Sequence, residues 1–490
     1  MAQRRILKLV FGSTPFKASK YTGGRPELPG PMACALTSHS LRESLCRFPY
    51  AVCEKSDGER FLLLITAATD DSPRAVLADR SFSLFELSGA ISMGGGRAPS
   101  TVGAVMAQLV SPAGDTLVDG ELVSRPALPP GKAIAGEVPT PVFLVFDAVQ
   151  VNGTRTADRR LPDRLSAVGT GVRERLRRDD TKRAHAGLPL LPLLVLGKTF
   201  CKAPDLHRVL AHVASWPAAR APASPGDVTA AALKLGHGEG GGGAAGGRAA
   251  AAAASAAAAG VTEHAGIGRA EVSVYCEGQR VNGNDGLVFT PEAPSYVDLL
   301  SMPDKAAPGG APVQPLLKWK PLLENTVDFL VRLVDAEAAA GGSGAGCTAT
   351  LFSSAGGRTV EQAATSLTPE QGKALVSVMR AHGKKDLVVE CMVDEAAAKG
   401  VVRSLAGDHT AAALPADKVT SAALKLAYRR GLFYQRWVII RLRPDKARAN
   451  SVLTAVSTME ALADSVTPAD VAAAIRQAMR APQPGAARTA

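Results

Sequence analysis

Lys55 lies in the segment CEKSDGER, Cys53–Arg60, which follows one apolar stretch and precedes another. An Asp-Gly step two residues after a lysine favours a tight turn, and Arg60 leaves the same turn, where it could reach a ligand held at the lysine. A neutral lysine amine is a nucleophile, so the segment is suited to covalent catalysis at Lys55. A surface β-turn would use the same residue types, and the four-residue pattern does not distinguish the two.

Two further groups of charged residues lie on predicted strands. Lys318 and Lys320, in LLKWKP, are two residues apart, so their side chains project from one face of a strand. An edge strand with two solvated lysines is the alternative. The segment Arg436–Asn450 carries the pattern R-x-R-x-D-K, for which alternating solvated charges on a strand are the alternative.

The elements that must position these residues follow from the spacing of apolar side chains. Short, often alternating apolar runs predict strands at Phe61–Ala68, Thr116–Val123, Val142–Val151, Asp285–Thr290 and Pro315–Pro321. Helical spacing predicts helices at Leu206–Trp216, Pro369–Ala381 and Pro468–Met479. A mixed sheet-and-helix domain is therefore expected, followed from about Val327 by a smaller module that contains strands.

Two segments are predicted to lie outside these elements. Ala221–Gly260 is rich in Gly and Ala, buries little apolar surface, and is predicted to be a disordered insertion in a surface loop. Arg155–Arg183 is predicted to be a basic, solvated connector that is partly helical.

Composition restricts the partners. The net charge of +11 suits a polyanion such as RNA, although a bias toward arginine codons would give the same balance. The seven cysteines are scattered without a C-x-x-C pair, which argues against a disulfide framework and a structural zinc site. No apolar run is long enough for a signal peptide or a membrane span, so we expect an intracellular protein without membrane contact.

The motifs occur in the order and approximate spacing of one superfamily. The sequence resembles eukaryotic-type mRNA guanylyltransferases, members of the covalent nucleotidyltransferase superfamily that also contains DNA and RNA ligases. The resemblance covers about residues 28 to 455 without the insertion, and rests on LPG (Leu28–Gly30), EKSDGER, ADR (Ala78–Arg80), LVDGELV with Glu121, VFDAVQVNG with Phe146, GKTF with Lys198, NDGLVFTP with Asp285, LLKWKPLLENTVDF (Leu316–Phe329) and RWVIIRLRPDKARAN.

The resemblance implies an α+β fold in which a ligase-like, ATP-grasp-like mixed sheet is followed by an OB-fold. We expect an N-terminal extension at 1–27, a nucleotidyltransferase domain at 28–326, an OB-fold domain at 327–455 and a helical tail at 456–490.

The resemblance also implies a covalent intermediate. Lys55 would attack the α-phosphorus of GTP and carry GMP to the 5′-diphosphate end of RNA. The attacking amine must be neutral, and the positive charges of Lys318 and Lys320 would favour that form and bind the α-phosphate oxygens.

Other residues of the resemblance are implied to bind the nucleotide. Arg60 and Arg80 would contact sugar and phosphate, Phe146 would stack on guanine, and Lys198 would contact the edge of the base. Phe143 lies on the other face of the same strand and is predicted to belong to the core.

Acidic and barrel residues complete the implied site. Glu121 would contact the ribose and, with Asp285, help to hold Mg²⁺ or Mn²⁺. The barrel domain is implied to close over the cleft, so that its cations Arg441, Arg443 and Lys446 meet the β- and γ-phosphates. Asp445 belongs to the same motif, and Asp328 resembles another family residue on the strand that enters the barrel. Both are expected to belong to the nucleotide-binding site.

The nearest alternative is an ATP-dependent DNA or RNA ligase, because KSDGER is closer to the ligase form of the first motif. LLKWKP with ENTVDF, and the R-x-R-x-D-K segment, favour the capping branch. A non-catalytic RNA-binding scaffold would be expected to lack Lys55 or the Asp445-Lys446 pair, and both are present. A nuclear location, an RNA triphosphatase and the phosphorylated tail of RNA polymerase II are expected from the same resemblance.

Overall fold

The part of the chain that the computed structural model describes is discontinuous. It comprises residues 2–12, 28–56, 58–94, 98–123, 141–207, 209, 284–301, 313–320, 325–333, 347–355, 358–367, 369–381, 383, 385–393, 437–443, 446, 448–452, 454–455, 458 and 466–480. The Gly/Ala-rich insertion predicted at 221–260 and most of the helix predicted at 206–216 lie outside these ranges.

The helices mostly surround two sheets in the first part of the chain. They are α1 (Ala2–Phe11), α2 (Ser38–Ser40), α3 (Val102–Val110), α4 (Leu161–Val168), α5 (Glu174–His185), α6 (Tyr296–Ser301), α7 (Pro369–Ala381) and α8 (Pro468–Arg480). Wider π-helical turns continue α2 (Leu41–Leu45) and join α4 to α5 (Gly169–Arg173), and a 3₁₀ turn spans Ala203–Asp205. Within the described residues, no helix is long and apolar enough to cross a membrane.

The strands are numbered in chain order. They are β1 (Cys34–Ala35), β2 (Tyr50–Ser56), β3 (Glu59–Ile65), β4 (Ala75–Ala78), β5 (Leu84–Glu86), β6 (Ala90–Ile91), β7 (Ser100–Thr101), β8 (Thr116–Val123), β9 (Val142–Val151), β10 (Thr154–Arg155), β11 (Leu194–Gly197), β12 (Cys201–Lys202), β13 (Asn284–Pro291), β14 (Leu317–Trp319), β15 (Thr326–Leu333), β16 (Cys347–Ala355), β17 (Arg358–Leu367), β18 (Leu387–Val393) and β19 (Trp437–Leu442).

The described residues of the first part of the chain form two large sheets and a two-stranded one, β6-β7. In the described ranges, the first sheet has the order β1-β14-β13-β2-β12 and the second β10-β9-β8-β3-β4-β5, with β11 paired to β9. β2 belongs to the first sheet and β3 to the second, so the chain passes between the sheets at the turn that follows Lys55.

Alternating apolar side chains fix the two faces of the second sheet. Phe61 and Leu63 of β3 pack under α3 and α5, whereas Leu62 and Leu64 pack under α1 and α6. Phe143 is fully buried in the first of these cores, which confirms its predicted structural role.

The C-terminal sheet curls toward a barrel. Its order is β17-β16-β15-β18-β19, with antiparallel neighbours. The hydroxyl of Thr365 in β17 donates to the carbonyl of Trp437 in β19 at 2.7 Å, so the two end strands approach each other. Phe329 and Trp437 meet edge to face in the core. A five-stranded, partly open barrel is the architecture of an OB-fold, and the predicted α+β fold class is confirmed.

The first and last described helices pack onto the first part of the chain. Ile6 and Val10 of α1 are fully buried against the second sheet. Val471 and Ile475 of α8 are buried in the core beneath the first sheet. The predicted domain limits remain predictions, but α1 and α8 contribute to the core around these two sheets.

The prediction that Arg155–Arg183 is a solvated connector is wrong in one respect. The segment forms α4 and α5 as part of the core, and Arg164 is fully buried in an ion pair with Asp147, with 2.6 Å between Nε and Oδ1. Leu161 and Leu176 are also buried. The abundance of charge concealed apolar residues at helical spacing, which supply the buried face.

Candidate active site

The turn between β2 and β3 lies directly against β8. A Cβ built on Gly58 would lie 2.7 Å from the carbonyl oxygen of Leu122 and 2.9 Å from Cγ of Glu121. Only glycine permits this approach, which explains the glycine of the K-x-D-G pattern. Lys55, half-buried near the end of β2, is thereby held close to the strand that carries Glu121.

Two lysines share one face of the first sheet. Val288 of β13 pairs with Cys53 on one side and with Lys318 on the other. Laterally paired residues share a face, as do residues two apart on a strand, so Lys55 lies on the same face as Lys318. Lys320 directly follows the end of β14. β14 pairs with both β1 and β13, which removes the alternative of an edge strand.

A β-bulge lies between Lys55 and β14. β13 pairs with β2 at Asn284 and again at Leu287, and the register shifts between them, opposite Lys55. Gly286, in this bulge, has φ +147°, and a Cβ there would lie 2.0 Å from the carbonyl oxygen of Trp319. A side chain at this position would collide with the backbone of β14, so glycine is required here. Asp285 belongs to the same strand, but its side chain lies outside the described part of the structure.

Lys198, Glu121 and Phe146 form a contact group on the second sheet. Lys198 Nζ lies 3.1 Å from Glu121 Oε2 and 5.3 Å from the centre of the Phe146 ring. Burial acts to lower the pKa of Lys198, but the carboxylates of Glu121 and Glu54 outweigh it, and the pKa is raised. Lys198 is therefore a cation at neutral pH.

An electrostatic interaction between Lys198 and Cys53 shows that the two sheets meet beside Lys198. Burial raises the pKa of the Cys53 thiol to about 12, although the positive charge of Lys198 acts in the opposite direction. Lys198 of the second sheet thus lies within electrostatic reach of β2, the strand that carries Lys55.

Arg60 is fixed by a carboxylate that the sequence prediction did not include. Its Nε and Nη2 donate to the two oxygens of Asp119 at 2.9 and 2.6 Å. The hydroxyl of Tyr296 donates to Asp119 Oδ2 at 2.7 Å. The guanidinium lies 5.5 Å from the centre of the Phe146 ring. The first residue of the D-G-E motif could have indicated Asp119, whereas no local pattern marks Tyr296.

Arg80 follows β4 and is exposed. Ala78 of β4 pairs with Leu62 of β3 in antiparallel register, so the chain after Ala78 runs toward the start of β3, where Arg60 lies. Its contact with sugar or phosphate stays a prediction.

A second charged group lies in the barrel. Lys446 Nζ forms an ion pair with Asp328, and Arg443 Nη1 lies 3.3 Å from both Asp328 Oδ1 and Glu390 Oε2. Asp328 and Glu390 are directly paired across β15 and β18. The side chains of Arg441 and Asp445 lie outside the described residues. Glu390, in an ordinary alternating strand, gave no signal in the sequence.

Among the described residues, no three His, Cys, Asp or Glu side chains lie together to hold a metal ion, and Glu121 is a single carboxylate that pairs with Lys198. Glu121 supplies carboxylate oxygens, which Mg²⁺ and Mn²⁺ prefer, and the backbone of Asp285 lies in the bulge opposite Lys55. Glu121 is nearly buried, so a cation there would be largely shielded from water.

The two-sheet fold and the lysine-bearing cleft define a nucleotidyltransferase with a separate barrel. Two family models then match the chain: "mRNA capping enzyme, catalytic domain" over residues 2–217 and "mRNA capping enzyme, C-terminal domain" over residues 324–472. The chain belongs to the mRNA capping enzyme family, and the membership predicted from the motifs is confirmed.

Several solved structures are also similar. One titled Pmar-Lig_PreS3 is 12% identical with a TM-score of 0.28, and the match covers 74% of this chain and 62% of that one. A mycobacterial DNA ligase D complexed with ATP and MES is 12% identical with a TM-score of 0.23, over 74% and 87% of the two chains. The ligase domain of M. tuberculosis LigD is 14% identical with a TM-score of 0.21, over 74% and 86%. The chain thus spans about three fifths of the length of the first of these structures.

Proposed function

We propose that the protein is a GTP–RNA guanylyltransferase that forms a lysine–GMP intermediate at Lys55 and transfers GMP to the 5′-diphosphate end of RNA. The single observation that carries this proposal is the placement of Lys55 and Lys318 on one face of a sheet, with the bulge at Asp285 and Gly286 between their strands. That arrangement suits a nucleophile and a cation acting on one phosphate, and Lys320, directly after β14, is the second cation of the proposal.

In the first step, Nζ of Lys55 forms a bond to the α-phosphorus of GTP. The bond from that phosphorus to the oxygen bridging to the β-phosphate breaks, pyrophosphate leaves with that electron pair, and the amine loses a proton to solvent. Lys318 and Lys320 stabilise the negative charge that develops on the α-phosphate oxygens. In the second step, an oxygen of the RNA 5′-diphosphate attacks the same phosphorus, and the bond to Lys55 breaks as the amine regains a proton.

The second sheet supplies the nucleotide contacts. Phe146 presents its ring to the cleft between two cations and is assigned to stacking on guanine. Lys198 is assigned to the edge of the base, and Arg60 and Arg80 to sugar and phosphate. Glu121 would contact the ribose.

Glu121 and Asp285 would hold Mg²⁺ or Mn²⁺, which when bound neutralises charge on the phosphates of GTP. In the barrel, the cations Arg441, Arg443 and Lys446 are assigned to the β- and γ-phosphates and hence to the departure of pyrophosphate, with Asp445 and Asp328 beside them in the nucleotide-binding site.

Family membership supports the biological setting. A capping enzyme acts on new transcripts, so we place the protein in the nucleus, with an RNA triphosphatase and the phosphorylated tail of RNA polymerase II as partners. The matches to both capping-enzyme domains favour this function over an ATP-dependent ligase.

Incubation with α-labelled GTP or ATP and Mg²⁺, followed by denaturation, tests the proposal. Label from GTP and not from ATP should remain on the protein, stable to alkali and labile to acid, as a phosphoramidate is. Lys55→Ala should abolish labelling, and so should Lys55→Arg, because a guanidinium stays protonated. Lys202→Ala, which changes an exposed lysine of the same sheet, is the control. Labelling from ATP alone would convert the assignment to a ligase, and labelling of Lys55→Ala would show that another residue is the nucleophile.

A further inference from the structure

The solvent face of α5 and of the turn before it is predominantly basic. Its exposed ionisable residues are Arg173, Arg175, Arg177, Arg178, Lys182 and His185. Among the acidic residues of the same segment, Asp180 is buried and Asp179 pairs with Arg183 at 2.6 Å. Glu174 is half-exposed and pairs with Arg178. The basic side chains therefore outnumber the acidic ones on this surface, here called the α5 basic face.

One end of the α5 basic face reaches the rim of the active-site cleft. A Cβ built on Gly197 would lie 3.8 Å from Cδ and from Nη1 of Arg173, so the Arg173 side chain lies against Gly197. The next residue, Lys198, is the buried cation of the cleft that contacts Glu121. The α5 basic face therefore begins beside Gly197, one residue before the lysine whose charge Glu121 balances in the cleft.

The length of the face suits a nucleic acid strand. α5 spans 12 residues, which is about 18 Å at the usual rise per residue. A strand with one phosphate per about 3.4 Å would place about five phosphates along it. A run of exposed Arg and Lys binds such a strand by displacing its counterions, without reading the sequence.

We propose that the α5 basic face binds the RNA chain behind its 5′ end and guides the 5′-diphosphate into the cleft. This inference rests on the proposed function, since it concerns the acceptor of the second half-reaction. The α5 basic face takes no part in the formation of the lysine–GMP intermediate under this proposal.

The chain offers a matched control on the opposite side of the molecule. α1 has exposed Arg4 and Lys8 on one helical face, and it packs on the face of the second sheet opposite to α5. Arg4→Gln with Lys8→Gln therefore removes the same charge as Arg177→Gln with Lys182→Gln, but away from the proposed RNA path.

The test compares acceptors of two lengths. With pre-formed lysine–GMP enzyme, the Arg177→Gln/Lys182→Gln variant should show a KM for a diphosphate-ended RNA of about twelve nucleotides raised about tenfold at low salt, and an unchanged KM for a diphosphate-ended dinucleotide. The slope of log affinity for the longer RNA against log salt should fall by about 1.4, or about 0.7 for each lost phosphate contact. Label transfer from GTP to Lys55 and the behaviour of the Arg4→Gln/Lys8→Gln control should match the unchanged protein.

Other outcomes would overturn the inference without touching the proposed function. These are an unchanged KM for the longer RNA, an equal effect of the α1 control, or loss of binding to a serine-phosphorylated peptide with unchanged RNA affinity. Failure of the proposed function would instead appear as absence of label from GTP in the unchanged protein. Direct binding of the longer RNA to the two double variants would still decide the role of α5 in that case.

Discussion

At the scale of single residues, the cleft depends on side chains that hold other side chains. Arg60 is nearly buried, and its charge is balanced by Asp119, which is fully buried and also accepts a hydrogen bond from Tyr296. A buried cation is strongly destabilising when its partner is removed, because nothing replaces the lost solvation. Asp119 is therefore a positioning residue for Arg60 and for the Phe146 ring that Arg60 faces.

Asp119→Asn should consequently destabilise the first part of the chain. We expect a loss of about 3–5 kcal/mol in the free energy of unfolding, measured by urea titration, because a buried guanidinium loses its charged partner. Tyr296→Phe should cost about 1 kcal/mol, since one hydrogen bond is lost.

Asp386→Asn is the control for this prediction, since its partner Arg332 is half-exposed and such surface pairs contribute about 1 kcal/mol or less. An effect of Asp119→Asn no larger than that of Asp386→Asn would contradict the importance of the buried pair.

At the scale of elements, β14, which carries Lys318 and ends just before Lys320, is supported from behind by α8. Trp319 lies between Lys318 and Lys320 and projects from the opposite face of β14. Its Nε1 donates to the carbonyl of Val466 at 2.7 Å, immediately before α8. α8 thus closes the apolar side of the first sheet, although it follows the barrel in sequence.

Shortening Ile475 should therefore affect both stability and catalysis. Ile475→Ala is expected to cost about 2–5 kcal/mol, as for other buried aliphatic truncations, and to reduce labelling from GTP because β14 loses support. Arg476→Ala changes the exposed neighbour and should stay within about 0.5 kcal/mol. Equal stability of the two variants in urea would show that α8 does not brace the sheet.

At the scale of the whole molecule, the chemistry is divided between a cleft and a barrel. The cleft holds the lysines proposed to act on the α-phosphate, whereas the barrel groups Arg443 and Lys446 with Asp328 and Glu390. In the described conformation the barrel cations are neutralised by these carboxylates. Contact with GTP phosphates would therefore exchange one set of anionic partners for another, at a smaller desolvation cost than exposing bare cations.

The division predicts unequal effects on the two half-reactions. Lys446→Ala should slow formation of the lysine–GMP intermediate by about 10²–10³, because pyrophosphate departs only in that step. Transfer of GMP from a pre-formed intermediate to diphosphate-ended RNA should fall much less. Single-turnover rates of the two steps provide the measurement.

Arg332→Ala, on the exposed side of the same barrel, serves as the control and should leave both rates near those of the unchanged protein. Equal damage to both steps by Lys446→Ala, with the fold intact by circular dichroism, would assign Lys446 to a structural ion pair with Asp328 alone.

The sequence by itself determined the local elements and the supply of reactive side chains. The strands at Thr116–Val123 and Val142–Val151 and the helix at Pro369–Ala381 have the predicted bounds, because the period of apolar residues is a local property. The same alternation predicted a shared strand face for Lys318 and Lys320, of which Lys318 lies on β14 and Lys320 follows its end.

Only the tertiary structure decided which charged groups neutralise one another. Arg60 and Asp119 are 59 residues apart and Lys446 and Asp328 are 118 apart, so no local period relates them. Arg164 was predicted to be solvated, yet it pairs with Asp147 in the interior, because the buried face of α4 brings the two together. Local spacing fixes which way a side chain points along its own element, but the cost of burying a charge is balanced only by the element that folding places opposite it.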